Sequence, residues 1–349
     1  MDEYRVVILM ACIALMPFIG YAIIQLKNLL LGRTLAWVLV VVSIVAVERF
    51  SLSDPPIIRM LLIITALLFG MKTVVGVESR HSNGNSNQPM PLRNWMAFVT
   101  LWFGMRPRLF AKFSGQPRDD WARYVIRGLV RIAIGAALFV TAWVLIHGLS
   151  LDGLYASNSG PEILQTAPWR RWSATICLMV GFSMLVHFGL FSVLVGFWRR
   201  LSLNCGLLFR APMLSTSLTE FWGRRWNLAF SEMTTLAVFR PIKSWLGKNP
   251  AGRSTATVIA TVLAFLFSGL LHELAISVPV RAGFGSPMIY FALHGLAMYF
   301  ESRMNRDGNS ILQRPWIGRV WTWLWILLPL PLLFHRAFLE GCVWPLISR

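Results

Sequence analysis

The chain of 349 residues is 56% hydrophobic and only 14% charged, and it contains 16 Trp and 23 Phe. About a quarter of the residues in a typical soluble domain are charged, so this composition excludes a soluble globular protein and indicates an integral membrane protein. The formal net charge is +18, and a strongly positive charge is also found in many nucleic-acid-binding proteins. Here the arginines flank apolar segments, and we predict no nucleic-acid partner.

Apolar windows recur along the whole chain. A helix needs roughly 20 apolar residues to cross a hydrocarbon core. We therefore predict an all-α, polytopic membrane protein with about eight transmembrane helices and additional interfacial amphipathic helices. The windows are Val6–Leu26, Leu35–Val47, Ile57–Val77, Leu129–Leu149, Ala174–Phe197, Val258–Val278, Pro287–Phe300 and Trp316–Phe334.

The first window follows an acidic start, MDEY, and no small-residue cleavage site comes after it. It is therefore predicted to be a membrane span rather than a cleaved signal peptide. The four cysteines are scattered without a CxxC pair, which indicates neither a disulfide framework nor a zinc site. They are Cys12, Cys177, Cys205 and Cys342.

The basic residues crowd into two connections, residues 106–131 and 199–253, whereas Ser150–Pro168 contains none. Positive residues in short connections mark the cytoplasmic side of a membrane. The two basic connections are thus predicted to be cytoplasmic, and Ser150–Pro168 and both termini external. The compact chain without targeting signals favours a bacterial inner membrane.

Two segments follow the third window. The connector ESRHSNGNSNQPMPLRN is rich in Asn, Gly, Ser and Pro, which predicts a flexible loop. The segment WMAFVTLWFGMRPRLFAKF is apolar and aromatic but ends in basic residues. We predict that it lies at the cytoplasmic interface or forms a re-entrant piece.

Between the fifth and sixth windows, LTEFWGRRWNLAFSEMTTLAVFRPI has the period of an amphipathic helix. Its apolar stripe includes Trp222, Trp226 and Met233, and Asn227 lies on the opposite face. We predict one helix lying along the membrane and ending at Pro241, because the residue before a proline is pushed out of the helical region. Interfacial anchoring is the ordinary role of such a helix.

The next apolar run carries an imidazole and a carboxylate side by side, His272 and Glu273, with no other ionisable residue between Thr255 and Val278. Unpaired polar groups are costly in hydrocarbon, and intramembrane ionisable residues usually have a function. The alternative is a histidine that hydrogen-bonds across helices and stabilises the bundle.

The following window also contains polar residues. Tyr290, His294, Met298 and Glu301 share one helical face, and Gly295 would allow a helix or a ligand to approach closely. His294 could hydrogen-bond to another helix, orient a substrate or take part in catalysis, or bind a metal.

Three common active-site motifs are missing from the sequence. An HExxH zinc motif would need a second histidine where this chain has Ile276. There is no GxSxG elbow of a serine hydrolase and no Gly-rich phosphate loop of a nucleotide-hydrolysing pump. We therefore predict no metal.

A catalytic function explains the remaining polar residues. Burial disfavours the charged imidazolium, so His272 is expected to be neutral and able to take a proton from an alcohol that attacks an acyl thioester. A carboxamide such as Asn227 could stabilise the oxyanion if its helix dips into the membrane. Coenzyme A carries phosphates that arginines bind, and Arg224 and Arg225 are assigned this role on charge alone. Glu273 is expected to orient or balance His272.

These motifs together resemble one family. FWGRRWN (Phe221–Asn227), LLHEL (Leu270–Leu274) and YFALHG (Tyr290–Gly295), with Glu301 beyond, resemble the wax-synthase branch of the membrane-bound O-acyltransferase superfamily. FGMRPRLF (Phe103–Phe110) is similar to a proline-containing element of the same branch. The resemblance implies a helical membrane fold around a tunnel. We predict a single membrane-embedded domain over residues 1–349, with N-terminal spans in 1–77 and the motif-bearing core in 203–302.

The resemblance also implies an activity. It predicts transfer of an acyl group from acyl-CoA, a cosubstrate rather than a tightly bound cofactor, to the hydroxyl of a lipophilic alcohol within the membrane lipid. Asn227 and His272 would be the catalytic residues. The auxiliary residues would be Trp226, Glu273, His294 and Glu301.

Two other functions stay open. A proton-coupled transporter of lipids or small molecules could use His272, Glu273 and His294 as a relay, although the internal repeats common in transporters are not visible. A non-catalytic scaffold that binds lipid is the second. For an enzyme, the acyl length and the acceptor are also open, since a wax alcohol, a sterol or triterpenoid, a diacylglycerol or a specialised metabolite would use the same chemistry.

Overall fold

The computed structural model of the chain describes residues 2–81, 90–111, 113, 115–148, 163–247, 253–304 and 311–347. Every regular element among them is helical, which confirms the all-α prediction. Within these ranges seven helical segments are long and apolar enough to cross a membrane, so the chain is a multi-pass membrane protein. They are Tyr4–Gln25, Leu29–Phe50, Pro56–Arg80, Trp121–His147, Pro168–Arg200, Thr255–Val280 and Pro315–Leu333.

The eighth predicted window, Pro287–Phe300, forms a helix that is not among these seven. It lies within Ser286–Met304, whose buried face carries Tyr290, His294 and Glu301 and which is therefore less apolar than the other spans. Parts of four predicted connections lie outside the described residues: 82–89, Lys112 and Ser114, 149–162 and 248–252.

The helices are numbered along the chain. They are α1 (Asp2–Gln25), α2 (Leu29–Phe50), α3 (Pro56–His81), α4 (Leu92–Thr100), α5 (Trp121–His147), α6 (Pro168–Phe182), α7 (Phe191–Arg200), α8 (Leu218–Glu220), α9 (Leu228–Thr234), α10 (Arg240–Leu246), α11 (Arg253–Val280), α12 (Ser286–Met304), α13 (Pro315–Leu327), α14 (Leu330–Leu333) and α15 (Arg336–Phe338).

The helices form two compact units. The first contains Met1–Lys112 and Leu208–His335, and the second contains Phe113–Leu207 and Arg336–Arg349. All the candidate site residues predicted from the sequence belong to the first unit. That residues 1–349 act as one domain stays a prediction.

The second unit is built on a helical hairpin of α5 against α6 and α7. Glycines on both sides of the crossing, such as Gly135 and Gly181, let the backbones touch, since an added Cβ on Gly135 would lie 2.8 Å from the Gly181 carbonyl oxygen. At one end of the hairpin, Arg199 forms two hydrogen bonds of 2.7 and 2.9 Å with Asp120. These bonds hold the pKa of Asp120 below its ordinary value.

In the first unit, α3 is fixed to its neighbours by two buried basic side chains. The Arg59 guanidinium donates to the carbonyl of Pro279 at the end of α11 and pairs with Glu48. The Lys72 amino group donates to the carbonyls of Phe98 and Trp102. Helix α4 therefore ends against the middle of a membrane-spanning helix, which fits the predicted re-entrant piece.

The segment from Leu218 to Leu246 corrects the prediction of one amphipathic helix ending at Pro241. The helix breaks at Asn227, whose φ of +41° lies in the left-handed region, so the segment has two limbs. The entry limb is α8 and the π-helical turn Phe221–Arg225. The return limb is α9, the π-helical turn Thr235–Phe239 and α10, which follow one another without interruption.

Pro241 does not end the return limb, because the wider π-helical turn comes directly before it. In that turn, the N–H of Arg240 bonds to the carbonyl of Thr235, five residues back. Pro241 then lies at the start of α10, where its missing N–H is tolerated.

Candidate active site

The return limb forms a hairpin with α11 that brings Asn227 to the depth of His272. The ring of Phe230 lies 5.3 Å from the His272 ring, whereas Gly247 lies beside Ala256. The two helices are therefore antiparallel and pack along their lengths. At 1.5 Å per residue, each runs for about 25 Å between these contacts. Asn227, directly before the return limb, thus lies deep rather than along the membrane surface.

The hydrogen bonding of His272 defines its tautomer. Nδ1 lies 2.7 Å from the carbonyl oxygen of Ser268, one turn earlier on α11. A carbonyl can only accept, so Nδ1 carries the hydrogen and Nε2 of the neutral ring has a free lone pair. Nε2 has no hydrogen-bond partner among the described residues, and the His272 side chain is partly buried. The ring packs between Phe230 and Phe291, whose centroids are 5.3 and 4.3 Å away.

Asn227 occupies the break between the two limbs and caps the return limb. Its Oδ1 accepts from the N–H of Phe230 at 3.2 Å, which is the bond of an N-cap residue. Asn tolerates the left-handed region because its short amide can bond locally. Within the described part of the chain Nδ2 makes no hydrogen bond, so the donor half of the carboxamide is available to another molecule.

Glu273 points away from His272, to the turn that joins α11 and α12. Its Oε1 accepts from the N–H of Gly285 at 2.9 Å, and Gly285 has a φ of +85°. The Glu273 carboxylate also lies near His335, where it partly opposes the lowering of the His335 pKa by burial. The expectation that Glu273 orients His272 has no support in these contacts.

The polar face of α12 is buried, as its spacing predicted. His294 is fully buried, and its Nδ1 lies 2.8 Å from the carbonyl of Tyr290 on the same helix. The carbonyl of Trp325 lies near this ring, but Nε2 does not reach hydrogen-bond geometry with any described residue. Glu301 is also buried, and its carboxylate binds the start of the entry limb at Leu218 and Thr219.

Trp222 of the entry limb packs against α12, and Trp226, directly after the limb, packs back on it. Trp222 contacts Phe291 at 5.6 Å and His294 at 5.3 Å, whereas Trp226 stacks on Phe221 at 5.5 Å. Phe291 touches both His272 and Trp222, so it lies at the centre of the candidate site. Its position was not predicted from the sequence, although it lies three residues before His294 on the face that the spacing marked.

Arg224 and Arg225, which were predicted to bind phosphate, differ in whether their guanidinium groups already have partners. Arg225 is already engaged, since it pairs with Glu220 at 2.6 Å and donates to two backbone carbonyls. Burial opposes ionisation of Glu220, but hydrogen bonds from Thr216 and Arg225 outweigh it and lower the pKa of that carboxyl. Arg224 is exposed and makes no hydrogen bond or ion pair within the described ranges.

An ion pair that the sequence did not reveal connects the predicted re-entrant piece to the return limb. Arg106, in the FGMRPRLF element, pairs with Glu232 at 2.7 Å. Burial raises the pKa of Glu232, and Arg106 opposes the shift. As for metals, no three His, Cys, Asp or Glu side chains in the described chain are close enough to hold an ion.

Comparison with known proteins places these residues in a family. Residues 205–293, which include Asn227 and His272, match the membrane bound O-acyl transferase family. Two relatives from Arabidopsis thaliana are named probable long-chain-alcohol O-fatty-acyltransferase 6 and 9. The first is 30% identical over 161 residues, 45% of this chain and 46% of that protein. The second is 31% identical over 149 residues, 40% of this chain and 43% of that protein.

A third relative, the long-chain-alcohol O-fatty-acyltransferase of Simmondsia chinensis, is 36% identical over 94 residues, 27% of this chain and 26% of that protein. The chain thus matches less than half the length of each of these relatives. The matched region carries the motifs on which the sequence resemblance was based, and the resemblance is confirmed. Over residues 205–293 the chain is similar to the membrane bound O-acyl transferase family.

Proposed function

We propose that the protein is an acyl-CoA-dependent O-acyltransferase that esterifies the hydroxyl of a lipophilic alcohol. The observation that carries this proposal is the tautomer of His272, whose Nδ1–H is fixed on the Ser268 carbonyl while the Nε2 lone pair has no partner. The relatives support the proposal, because their names describe transfer of fatty acyl groups to long-chain alcohols. A long-chain alcohol is therefore the first acceptor to test.

The reaction needs one proton transfer to and one from the imidazole. Nε2 of His272 takes the hydroxyl proton as the alcohol oxygen attacks the thioester carbonyl and forms the new C–O bond. The tetrahedral intermediate then collapses, the C–S bond breaks, and the thiolate of coenzyme A leaves. The thiolate recovers the proton from the His272 imidazolium, which restores the neutral ring.

Asn227 supplies the donor that this reaction requires. Negative charge develops on the former carbonyl oxygen, and a preorganised N–H aimed at that oxygen stabilises the transition state. Because Oδ1 of Asn227 is held by the N–H of Phe230, the amide is fixed in place and Nδ2 is its unbonded donor among the described residues. Phe230 also packs on His272, so the helix that orients the donor is in contact with the base.

Arginines on the predicted cytoplasmic side would hold the anionic part of acyl-CoA. Arg224 is exposed and unengaged among the described residues, and Arg106 keeps 60% of its side chain exposed despite its pair with Glu232. Arg225 is a weaker choice because its donors are already used. The basic connections favour a cytoplasmic entry for the cosubstrate, and we retain the bacterial inner membrane as the proposed location.

The transporter alternative receives less support. A proton relay needs groups linked by hydrogen bonds, directly or through water. Among the described residues, no hydrogen bond joins His272, Glu273 and His294. Glu273 binds the backbone of Gly285, and the ring of Phe291 packs on the His272 imidazole.

The test is esterification by the purified protein in detergent. Palmitoyl-CoA and acetyl-CoA are offered as donors with a panel of lipophilic alcohols that begins with hexadecanol, and free thiol and ester are both measured. We expect thiol release that depends on the alcohol and that falls by a factor of about 10²–10⁴ in His272→Ala. Equal activity of the wild type and this variant, in a folded state, would refute the assignment of His272. Proton-coupled uptake into liposomes would then be the next measurement.

A further inference from the structure

The buried carboxylate of Glu301 binds the start of the entry limb. Its Oε2 accepts from the N–H of Leu218 at 2.7 Å, and its Oε1 accepts from the N–H and the hydroxyl of Thr219 at 3.1 and 2.9 Å. Glu301 is only 2% exposed. No Lys or Arg of the described residues forms an ion pair with it. Three donors from one segment therefore solvate this charge.

These bonds act together with the cap of Ser217, whose hydroxyl accepts from the N–H of Glu220 at 2.9 Å, to hold the start of the segment that leads to Asn227. At the other end, the carbonyl of Arg225 accepts from the N–H of Arg210 at 2.8 Å, and Leu228 donates to the carbonyl of Leu208 at 2.9 Å. Between the two ends the limb carries Trp222, which packs against Phe291 beside the His272 ring. A shift at the entry end would therefore be transmitted to the Trp222 ring and to the break at Asn227.

We propose that Glu301 is a positioning residue that fixes the entry limb and, through it, the depth and orientation of the Asn227 carboxamide. This proposal rests on the proposed function for its catalytic consequence. The anchoring of the entry limb depends only on the hydrogen bonds from Leu218 and Thr219 to Glu301 and not on any activity. Glu301 does not touch the reacting groups, and its effect on the rate passes through Asn227.

The variants are Glu301→Gln and Glu301→Ala. The Gln side chain keeps one accepting oxygen but presents an NH₂ group to a backbone donor, so at least one of the three bonds is lost. The Ala variant loses all three. Thr219→Val removes only the hydroxyl bond and is the mild member of the series. Glu340→Gln is the matched control, because Glu340 lies in an exposed pair with Arg336 in the second unit.

The first measurement is hydrogen–deuterium exchange of the full-length protein in detergent, which needs no activity. We expect the amides of the 216–227 region to exchange about tenfold faster or more in Glu301→Gln, because the bonds that protect Leu218 and Thr219 are weakened. Exchange along α11 and in the second unit is expected to match the wild type, as in Glu340→Gln. Unchanged exchange of the 216–227 region would overturn the anchoring, whether or not the protein makes esters.

The second measurement is a double-mutant cycle on the rate of esterification. We expect Glu301→Gln to lower kcat by about 10- to 100-fold and to change KM for acyl-CoA by less than about threefold, since misplacement of a catalytic group costs rate. In the Asn227→Ala background the same change is expected to cost less than about threefold, because its target is gone. An equal cost in both backgrounds would assign Glu301 a purely structural role and overturn the proposal.

The two measurements separate the possible failures. If the wild type forms no ester with any donor and acceptor, the proposed function fails, and the exchange experiment still decides whether Glu301 anchors the limb. If Glu301→Ala does not fold, Glu301→Gln and Thr219→Val remain. We expect exchange to rise in the order wild type, Thr219→Val, Glu301→Gln, and a different order would contradict the proposal.

Discussion

Replacement of His272 by Asn would separate its catalytic role from its structural role. Asn carries a nitrogen on Cγ, as histidine does, so it can keep the hydrogen bond to the Ser268 carbonyl while it removes Nε2. The structural cost is set by the ring contacts with Phe230 and Phe291 at 5.3 and 4.3 Å. Each aromatic pair is worth roughly 0.5–1.5 kcal/mol, so the variant should lose about 1–3 kcal/mol of stability.

The catalytic cost should be larger. Loss of a general base lowers the rate by a factor of about 10²–10⁴, which corresponds to about 2.7–5.4 kcal/mol of transition-state stabilisation at 1.36 kcal/mol per tenfold. The assay is release of thiol from palmitoyl-CoA in the presence of hexadecanol, with melting temperature measured on the same preparations. At saturating substrate the loss should appear in kcat.

His294→Asn is the matched control. His294 also bonds to a carbonyl one turn earlier, Tyr290, and its ring also contacts two aromatic residues, Tyr290 at 4.3 Å and Trp222 at 5.3 Å. The same estimate gives a similar loss of stability, but we expect less than a tenfold loss of rate. Equal losses of rate in the two variants would refute the argument that the Nε2 lone pair of His272 is the base.

Three further predictions concern the same unit. Asn227→Asp keeps the oxygen that caps the return limb but removes the amide donor, so kcat should fall by about 10²–10³; a rate within threefold of wild type would exclude Asn227 as the donor. Gly269→Ala would place a Cβ 3.0 Å from the Met288 Cα, and pushing α11 from α12 should cost about 1–3 kcal/mol in thermal unfolding; an unchanged melting temperature would contradict this packing. Burial raises the pKa of Glu232 above its ordinary value of 4.5 although Arg106 opposes the shift. The protonated form is therefore favoured by folding, and the stability from this group is present at low pH and is lost as pH rises through the folded-state pKa. Glu232→Gln should remove the decline in melting temperature that begins as pH rises above the ordinary value of 4.5, and an unaltered decline would assign it to another group.

Parts of the site could be predicted from the sequence because hydrocarbon imposes simple rules. His272 was conspicuous as an ionisable residue in an apolar run, and the buried face of α12 followed from the spacing of Tyr290, His294 and Glu301. Each inference uses the residues of a single helix. Neither requires knowledge of which helices are neighbours.

The direction of Glu273 could not be predicted, because two adjacent residues on a helix point about 100° apart and the partner of each is decided elsewhere. The turn after α11 returns the N–H of Gly285 to Glu273, and this depends on residues with positive φ at Arg281, Gly283 and Gly285. Because Glu273 is adjacent to His272 in the sequence, a functional pair was expected. In the tertiary structure the two side chains do not contact each other in this way.

The break at Asn227 was missed for a related reason. The apolar period runs through Leu218–Leu236 without a Gly or Pro at the break itself, and local propensity therefore favours one helix. Bonds from distant residues override it, since Glu301 holds the entry limb and the carbonyl of Leu208 accepts from Leu228. The single local signal was the asparagine, which enters the left-handed region more readily than other side chains.

This break also explains how a carboxamide can be presented deep in an apolar bundle. In a continuous helix, an Asn side chain would compete for its own backbone or face lipid, and an unpaired amide there would be costly. At the break, the amide oxygen is satisfied by the cap on Phe230, and only the donor half stays unbonded. In the proposed reaction a substrate oxygen would accept from that N–H group, so the backbone break that the sequence pattern does not reveal is what would leave the Asn227 donor free to act.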